Sequence, residues 1–211
     1  MSERQSHWER VYTSNNENEV SWFQANPATS VELIRATGAT ARSAIIDIGG
    51  GASRLVDVLL RAGFKSIAVL DLSHAALAAA RARLAAEASH VEWIVSDVTQ
   101  WQPARQYDIW HDRAAFHFLT EATDRTAYLK RLRRALRPAG HVIIGTFAAD
   151  GPERCSGLPV QRYDAAGLQE TLGRDFKLLG AHREAHTTPW GSTQSFQFAR
   201  FQYLAAETAS S

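Results

Sequence analysis

Three aspartates stand at or near the ends of short apolar runs, each leading into a turn. Asp47 lies in Ala44-Ile45-Ile46-Asp47-Ile48, which runs into Gly49-Gly50-Gly51. Asp71 follows Val69-Leu70, and Asp97 follows Val95-Ser96. Carboxylates accept hydrogen bonds and attract cations, so three at successive strand ends suit a ligand with hydroxyls, amines and positive charge. A pyrophosphate wants N–H donors and positive charge instead. The glycine run lets the backbone bend sharply and approach a ligand closely. A dinucleotide fingerprint would put its third glycine near position 54, where this chain has Arg54. A second group, His111-Asp112-Arg113 and His117, holds residues able to move protons. A histidine of near-neutral pKa removes a proton from an amine, hydroxyl or thiol. Asp112 is a candidate to orient such a histidine, and Arg113 to bind a carboxylate or pair with Asp112.

These residues must be held by an alternation of strands and helices. Short apolar runs predict strands at Ala44–Ile48, Ser66–Leu70, Val91–Val95, Tyr107–His111 and His141–Phe147. Helical patterns fill Arg54–Arg61, Ala75–Ala86 and Thr123–Leu136. Ser73 is a plausible N-cap for the second helix, and Arg137-Pro138-Ala139-Gly140 closes the third. Such alternation predicts a parallel sheet covered on both faces. Beyond it, a helix at Ala165–Leu172 leads to strand-like runs at Phe176–Arg183 and Ser195–Tyr203, which read as a hairpin around Pro189-Trp190-Gly191. Before it, a polar segment with spaced aromatics reads as a helix and loop.

With 211 residues, 45% hydrophobic and 21% charged, the chain is expected to form one globular unit. A net charge of +1 supplies no field for holding nucleic acid. The basic run Lys130-Arg131-Leu132-Arg133-Arg134 is read as a solvated helix face. Cys155 stands alone, which excludes an internal disulfide, and the eight histidines lack metal-ligand spacing, so no metal is expected. The polar opening Met1–Gln5 and the lack of a long apolar run predict a cytoplasmic protein without a membrane partner.

The run Asp47-Ile48-Gly49-Gly50-Gly51 matches Asp-x-Gly-x-Gly, and the chain resembles the class I S-adenosylmethionine-dependent methyltransferases from about Trp8 to Phe201. The resemblance implies an α/β, Rossmann-like fold: a mostly parallel seven-stranded sheet, helices on both faces and a C-terminal antiparallel hairpin. It divides the chain into an N-terminal helical and aromatic lid segment (1–40), the methyltransferase domain (41–204) and a flexible tail (205–211). S-adenosyl-L-methionine is the implied cofactor. Asp47 and the turn at Gly49 and Gly51 would face its methionine end. Asp71, about twenty positions past the turn, would accept from the ribose hydroxyls, with Leu72 beside it. In the family, the position of Asp97 accepts from the adenine amine and the Val98 amide donates to a ring nitrogen. Capping the turns that follow remains the other reading of Asp71 and Asp97. The opening Trp8-x-x-x-Tyr12 with Trp22-Phe23 is similar to a branch containing lysine-specific protein methyltransferases, where such aromatics fold over the cofactor. Packing into the core is the alternative role for these rings.

His111-Asp112-Arg113 resembles that branch's Asp-Lys-Gly-Thr motif aligned on Asp112. Arg113 stands in place of its lysine, and His117 where it has an acidic residue. The catalytic candidates are therefore His111, Asp112 and His117. Arg113, Arg154, Arg162 and Tyr163 are candidates to bind the acceptor, the last three from a long loop after the fifth strand. The expected activity is methyl transfer to a small-molecule nucleophile, a thiol or other heteroatom. A protein lysine acceptor and a cofactor-binding protein without catalysis are the alternatives.

Overall fold

The computed structural model describes residues 2–205. The polar opening segment forms α1 (Glu3–Ser14), whose N-cap Ser2 accepts from the Gln5 amide, and α2 (Ala28–Arg35). Strand and helix then alternate through β1 (Ala44–Ile48), α3 (Leu55–Arg61), β2 (Ser66–Asp71), α4 (His74–Leu84), β3 (Val91–Val95) and β4 (Tyr107–Arg113). They continue through α5 (Ala122–Ala135), β5 (Leu136–Phe147), a two-strand ribbon of β6 (Arg154–Cys155) and β7 (Leu158–Pro159), α6 (Ala165–Leu172), β8 (Phe176–Thr187) and β9 (Thr193–Tyr203).

Seven strands make one sheet in the order β3-β2-β1-β4-β5-β9-β8. The first five are mutually parallel; β9 runs antiparallel to both β5 and β8. This is the expected α/β, Rossmann-like sheet with its closing hairpin. Strand order reverses between β1 and β4, so a crevice opens there at the carboxyl ends, where such sheets take ligands. One core lies between the sheet and α5 and α6, built on Trp110, Phe116, Tyr128, Leu132 and Phe201. The other lies between the sheet and α2, α3 and α4, built on Ile45, Leu59, Ile109, Phe147 and Phe198.

Two boundaries differ from expectation in ways that matter. β4 runs through Arg113 instead of ending at His111, because His111 and Asp112 pair in register with Asp47 and Ile48 on one side and Ile143 and Ile144 on the other. β5 starts at Leu136, whose buried side chain enters the sheet beside Tyr107; the expected turn becomes an irregular strand start with Ala139 at φ 61°. The polar tail lies largely outside the described residues. Among these, no helix is long and apolar enough to cross a membrane.

Candidate functional site

The glycine turn after β1 is tied to β2: the amides of Gly49 and Gly50 both donate to the Leu70 carbonyl. Gly51 has φ 42°, and a Cβ there would sit 2.9 Å from Asp71 Oδ2 and 3.1 Å from the Tyr12 hydroxyl. At Gly50 a Cβ would sit 2.6 Å from Asp47 Oδ2. The turn is thus closed to side chains on both sides, and Gly50 joins Gly49 and Gly51 as a position the triple-glycine run left undistinguished. Arg83 of α4 braces the turn from below, donating to the carbonyls of Ala52 (3.0 Å) and Ser53 (2.8 Å) while paired with Asp57.

Around the turn lies a cleft with about 720 Å³ of space, part of it open to solvent. Asp71, Leu72, Asp97, Val98, Gly49, Trp8, Tyr12, Trp22 and Arg113 all line it, so most residues singled out for a cofactor are brought together. A smaller recess lined by Asp47, Gly49, His111 and Arg113 adjoins it, sharing Tyr12 and Trp22 as walls. Asp71 accepts from the Ser73 amide at 2.8 Å and is almost wholly buried. Burial pushes its pKa up to about 7, aided by the Asp47 and Glu9 carboxylates and opposed by the amides of Ser73 and Gly51. Asp97 caps the following turn through Oδ1, which accepts from the Thr99 amide (2.8 Å) and hydroxyl (2.7 Å). Its Oδ2 lies 3.5 Å from Arg4 Nη1, so capping and facing the cleft coexist.

Three aromatics from the opening segment form the roof. Trp22 Nε1 donates to the Tyr12 hydroxyl at 3.1 Å, and Trp8 meets Trp22 and Phe118 edge-on at 5.5 and 4.9 Å between ring centres. Glu9 fastens α1 to the N-terminus of α4, accepting from the Ser73 hydroxyl at 2.8 Å and the Ala75 amide at 3.2 Å. A carboxylate there also answers the positive end of the α4 dipole. Sequence reasoning missed Arg4 and Glu9, since an ordinary polar helix face carries no mark of what it will dock against.

The residues expected to do chemistry lie beside the main cleft or away from it. Successive side chains on a strand point to opposite faces, and this sheet is covered on both. His111 therefore enters the core under α2, with Nδ1 2.7 Å from Asp47 Oδ1 and Nε2 2.9 Å from Ser30 Oγ. Asp112 enters the opposite core. Its Oδ1 accepts from the amides of Ala115 and Phe116 at 3.0 Å each, and its Oδ2 from the Tyr128 hydroxyl at 2.8 Å. It neither orients a histidine nor pairs with Arg113; it shapes the loop after β4. His117 is fully buried, with Nδ1 accepting from the Phe147 amide at 3.2 Å. Burial, reinforced by Arg113, pushes its pKa down to about 3, so it is a neutral core group outside the cleft lining.

Of the acceptor candidates, only Arg113 lines the cleft. Arg154 donates to the Gly157 carbonyl, and Arg162 to the Gly151 carbonyl (3.1 Å) and Glu153 (3.0 Å). Both are spent on holding their own loop. Tyr163 is buried in the core against Phe116. Cys155, on β6, does reach the cleft wall, and burial pushes its thiol pKa up to about 11.

This arrangement, with the glycine turn, two strand-end carboxylates and a cleft at the strand reversal, coincides with a family match. The family described as a methyltransferase domain matches residues 45–140, from β1 to the start of β5. Over this stretch the chain is similar to the methyltransferase-domain family, and its fold is that of the class I methyltransferases. Nodulation protein S of Rhizobium fredii is 29% identical to this chain over 108 residues, covering 51% of this chain and 61% of that protein. The chain thus spans about three-fifths of that curated relative's length. Among solved structures, 1,6-didemethyltoxoflavin-N1-methyltransferase of Burkholderia thailandensis has a TM-score of 0.74 at 19% identity, covering 95% of this chain and 87% of that one. It was solved with 1,6-didemethyltoxoflavin and S-adenosylhomocysteine. The N-methyltransferase NodS of Bradyrhizobium japonicum with S-adenosylhomocysteine gives 0.70 at 18% identity, covering 92% and 97%.

The buried Asp71 leads to a prediction for cofactor binding. A ligand whose hydroxyls donate to Asp71 selects the ionised carboxylate, which dominates only above about pH 7. S-adenosylhomocysteine affinity should therefore rise about tenfold from pH 6 to the plateau above pH 8, following the ionised fraction. Calorimetric titration across that range checks it, and a flat profile would remove Asp71 from the contact.

Proposed function

We propose that this methyltransferase transfers the methyl group of S-adenosylmethionine to a compact small-molecule nucleophile, a thiol or other heteroatom. The observation that carries the reading is the convergence of Asp71, Asp97 and the closed glycine turn on one aromatic-roofed cleft. Those residues suit the cofactor's chemistry: Asp71 and Asp97 would accept from ribose hydroxyls and an adenine amine, and the glycine turn would let the backbone pass close. Trp8, Tyr12 and Trp22 would cover it, while Leu72 and Val98 would flank the adenine. When bound, the cofactor supplies an electrophilic methyl on a positively charged sulfur.

The protein's own contribution is alignment and charge. His111 has both ring nitrogens hydrogen-bonded and His117 is buried outside the cleft, so neither is placed to take a proton from an acceptor. Much of the rate enhancement in such a displacement can come from holding nucleophile and electrophile in line. The acceptor then enters already unprotonated, as a thiolate or neutral amine does. Arg113, at the cleft wall, adds a positive charge that favours an anionic nucleophile and opposes a lysine ammonium.

A methyl-radiolabel assay with host-cell extract tests the reading. Label is expected in the soluble or volatile small-molecule fraction. Label confined to acid-precipitable protein would overturn the small-molecule acceptor, and failure to bind S-adenosylhomocysteine would overturn the activity itself.

A further inference from the structure

One edge of Arg113 is unused. Its Nη1 donates to the Trp22 carbonyl at 2.9 Å, and its Cζ lies 4.6 Å from the centre of the Phe196 ring. The side chain is only 10% exposed, yet Nε and Nη2 have no hydrogen-bond partner among the described residues. Glu184 does not fill the gap: its Oε1 stands 3.9 Å from Nη2 and accepts instead from Gln24 Nε2 at 2.9 Å. Asp112 is fully committed to Ala115, Phe116 and Tyr128.

Buried donors are almost always satisfied, and a guanidinium presents two parallel N–H groups along its Nε–Nη2 edge. That spacing matches the two oxygens of a carboxylate. The carbonyl of Trp22 and the ring of Phe196 hold the plane of the fork, so the edge is preorganised. Arg113 lines both the main cleft and the recess beside Asp47. On the methyltransferase reading, on which this inference rests, a sulfonium enters the same space. Two cations in a poorly hydrated cleft call for an anion between or beside them. Burial already lowers the pKa of the guanidinium to about 10, with Glu184 only partly restoring it.

We propose that Arg113 is the carboxylate anchor of this cleft, with a ligand carboxylate seated bidentately on its Nε–Nη2 edge. Two sources present that chemistry: the acceptor, and the methionyl end of the cofactor. An acceptor held this way is a small carboxylic acid bearing a nucleophilic heteroatom.

The test uses the full chain as wild type, Arg113→Met and Arg113→Lys, with thermal melts to establish folding. Lysine keeps the charge but lacks the fork, so it decides the matter if the methionine variant does not fold. Each protein is titrated with S-adenosylhomocysteine and with 5′-methylthioadenosine, which has no carboxylate. Acetate and benzoate are then titrated into protein saturated with S-adenosylhomocysteine. If the cofactor supplies the carboxylate, both variants lose about tenfold or more in S-adenosylhomocysteine affinity, with methylthioadenosine affinity unchanged. If the acceptor supplies it, S-adenosylhomocysteine affinity holds, while acetate or benzoate binding, present in wild type, is lost in the variants. The anchor is overturned if folded variants match wild type for all four compounds. Wild type that binds neither nucleoside would sink the methyltransferase reading instead, and acetate and benzoate titrated alone would still decide the anchor.

Discussion

Replacing Asp71 with alanine is expected to weaken S-adenosylhomocysteine binding by about a hundredfold, the loss of roughly 3 kcal/mol when charge-assisted hydrogen bonds to a ligand are removed. The variant should fold, because Ser73, not Asp71, caps α4, accepting from the Ala76 amide at 3.1 Å. The variant loses the hydrogen bond that Asp71 accepts from the Ser73 amide and the favourable pull of the Gly51 amide. Asp71→Asn separates charge from shape: it keeps one acceptor oxygen, should lose less affinity than alanine, and should abolish the pH dependence between about 6 and 8. Calorimetry on the three proteins reads both effects. Affinity for alanine within twofold of wild type would show that the ligand's hydroxyls are held elsewhere.

The second large effect falls on stability. Asp112→Ala removes an acceptor from two amides and from the Tyr128 hydroxyl in a fully buried place, leaving three donors unsatisfied. A cost of about 3–5 kcal/mol follows, and a fall in Tm on the order of 10 °C for a chain of this size. Asp112→Asn can keep the oxygen that serves both amides and should cost much less. The wild type also carries a pH signature. Burial raises the Asp112 pKa to about 6, against the pull of the Phe116 amide, the Tyr128 hydroxyl and the Ala115 amide. A carboxyl whose pKa is raised on folding stabilises most when protonated. Its contribution is fully present below about pH 4 and is lost as pH rises through about 6. The stability gap between wild type and Asp112→Asn should therefore move in favour of the asparagine variant across that window. Calorimetric melts from pH 4 to 7 check it; a constant gap would refute the assignment.

Much of the fold was legible in local pattern. The apolar runs of β1, β2 and β3 and the helices between them obey short-range rules of periodicity, capping and turn chemistry, and Ser73 caps α4 as its type predicts. Asp71 and Asp97 could also be found, because a residue at the end of a strand in this topology must stand at the carboxyl edge of the sheet. The placement of the catalytic candidates follows from something that no motif carries. His111 and Asp112 were expected at the end of a strand and the start of a loop, but β4 continues two residues further and the pleat sends them into opposite cores. His117 is likewise a polar residue in an apolar setting, its character decided by the Phe147 amide it meets.

What the sequence alone determined is the order of elements and the chemistry at the strand ends, since both depend on residues within a few positions of one another. The tertiary structure decided which polar side chains face the cleft. Glu9 reaches Ser73 across 64 positions, and Arg113 reaches Trp22 across 91. Arg154 and Arg162, the same residue type as Arg113, are absorbed by their own loop. Identical guanidinium groups become a loop brace or keep an edge without a partner among the described residues, according to what lies within about 3 Å, and packing sets that distance.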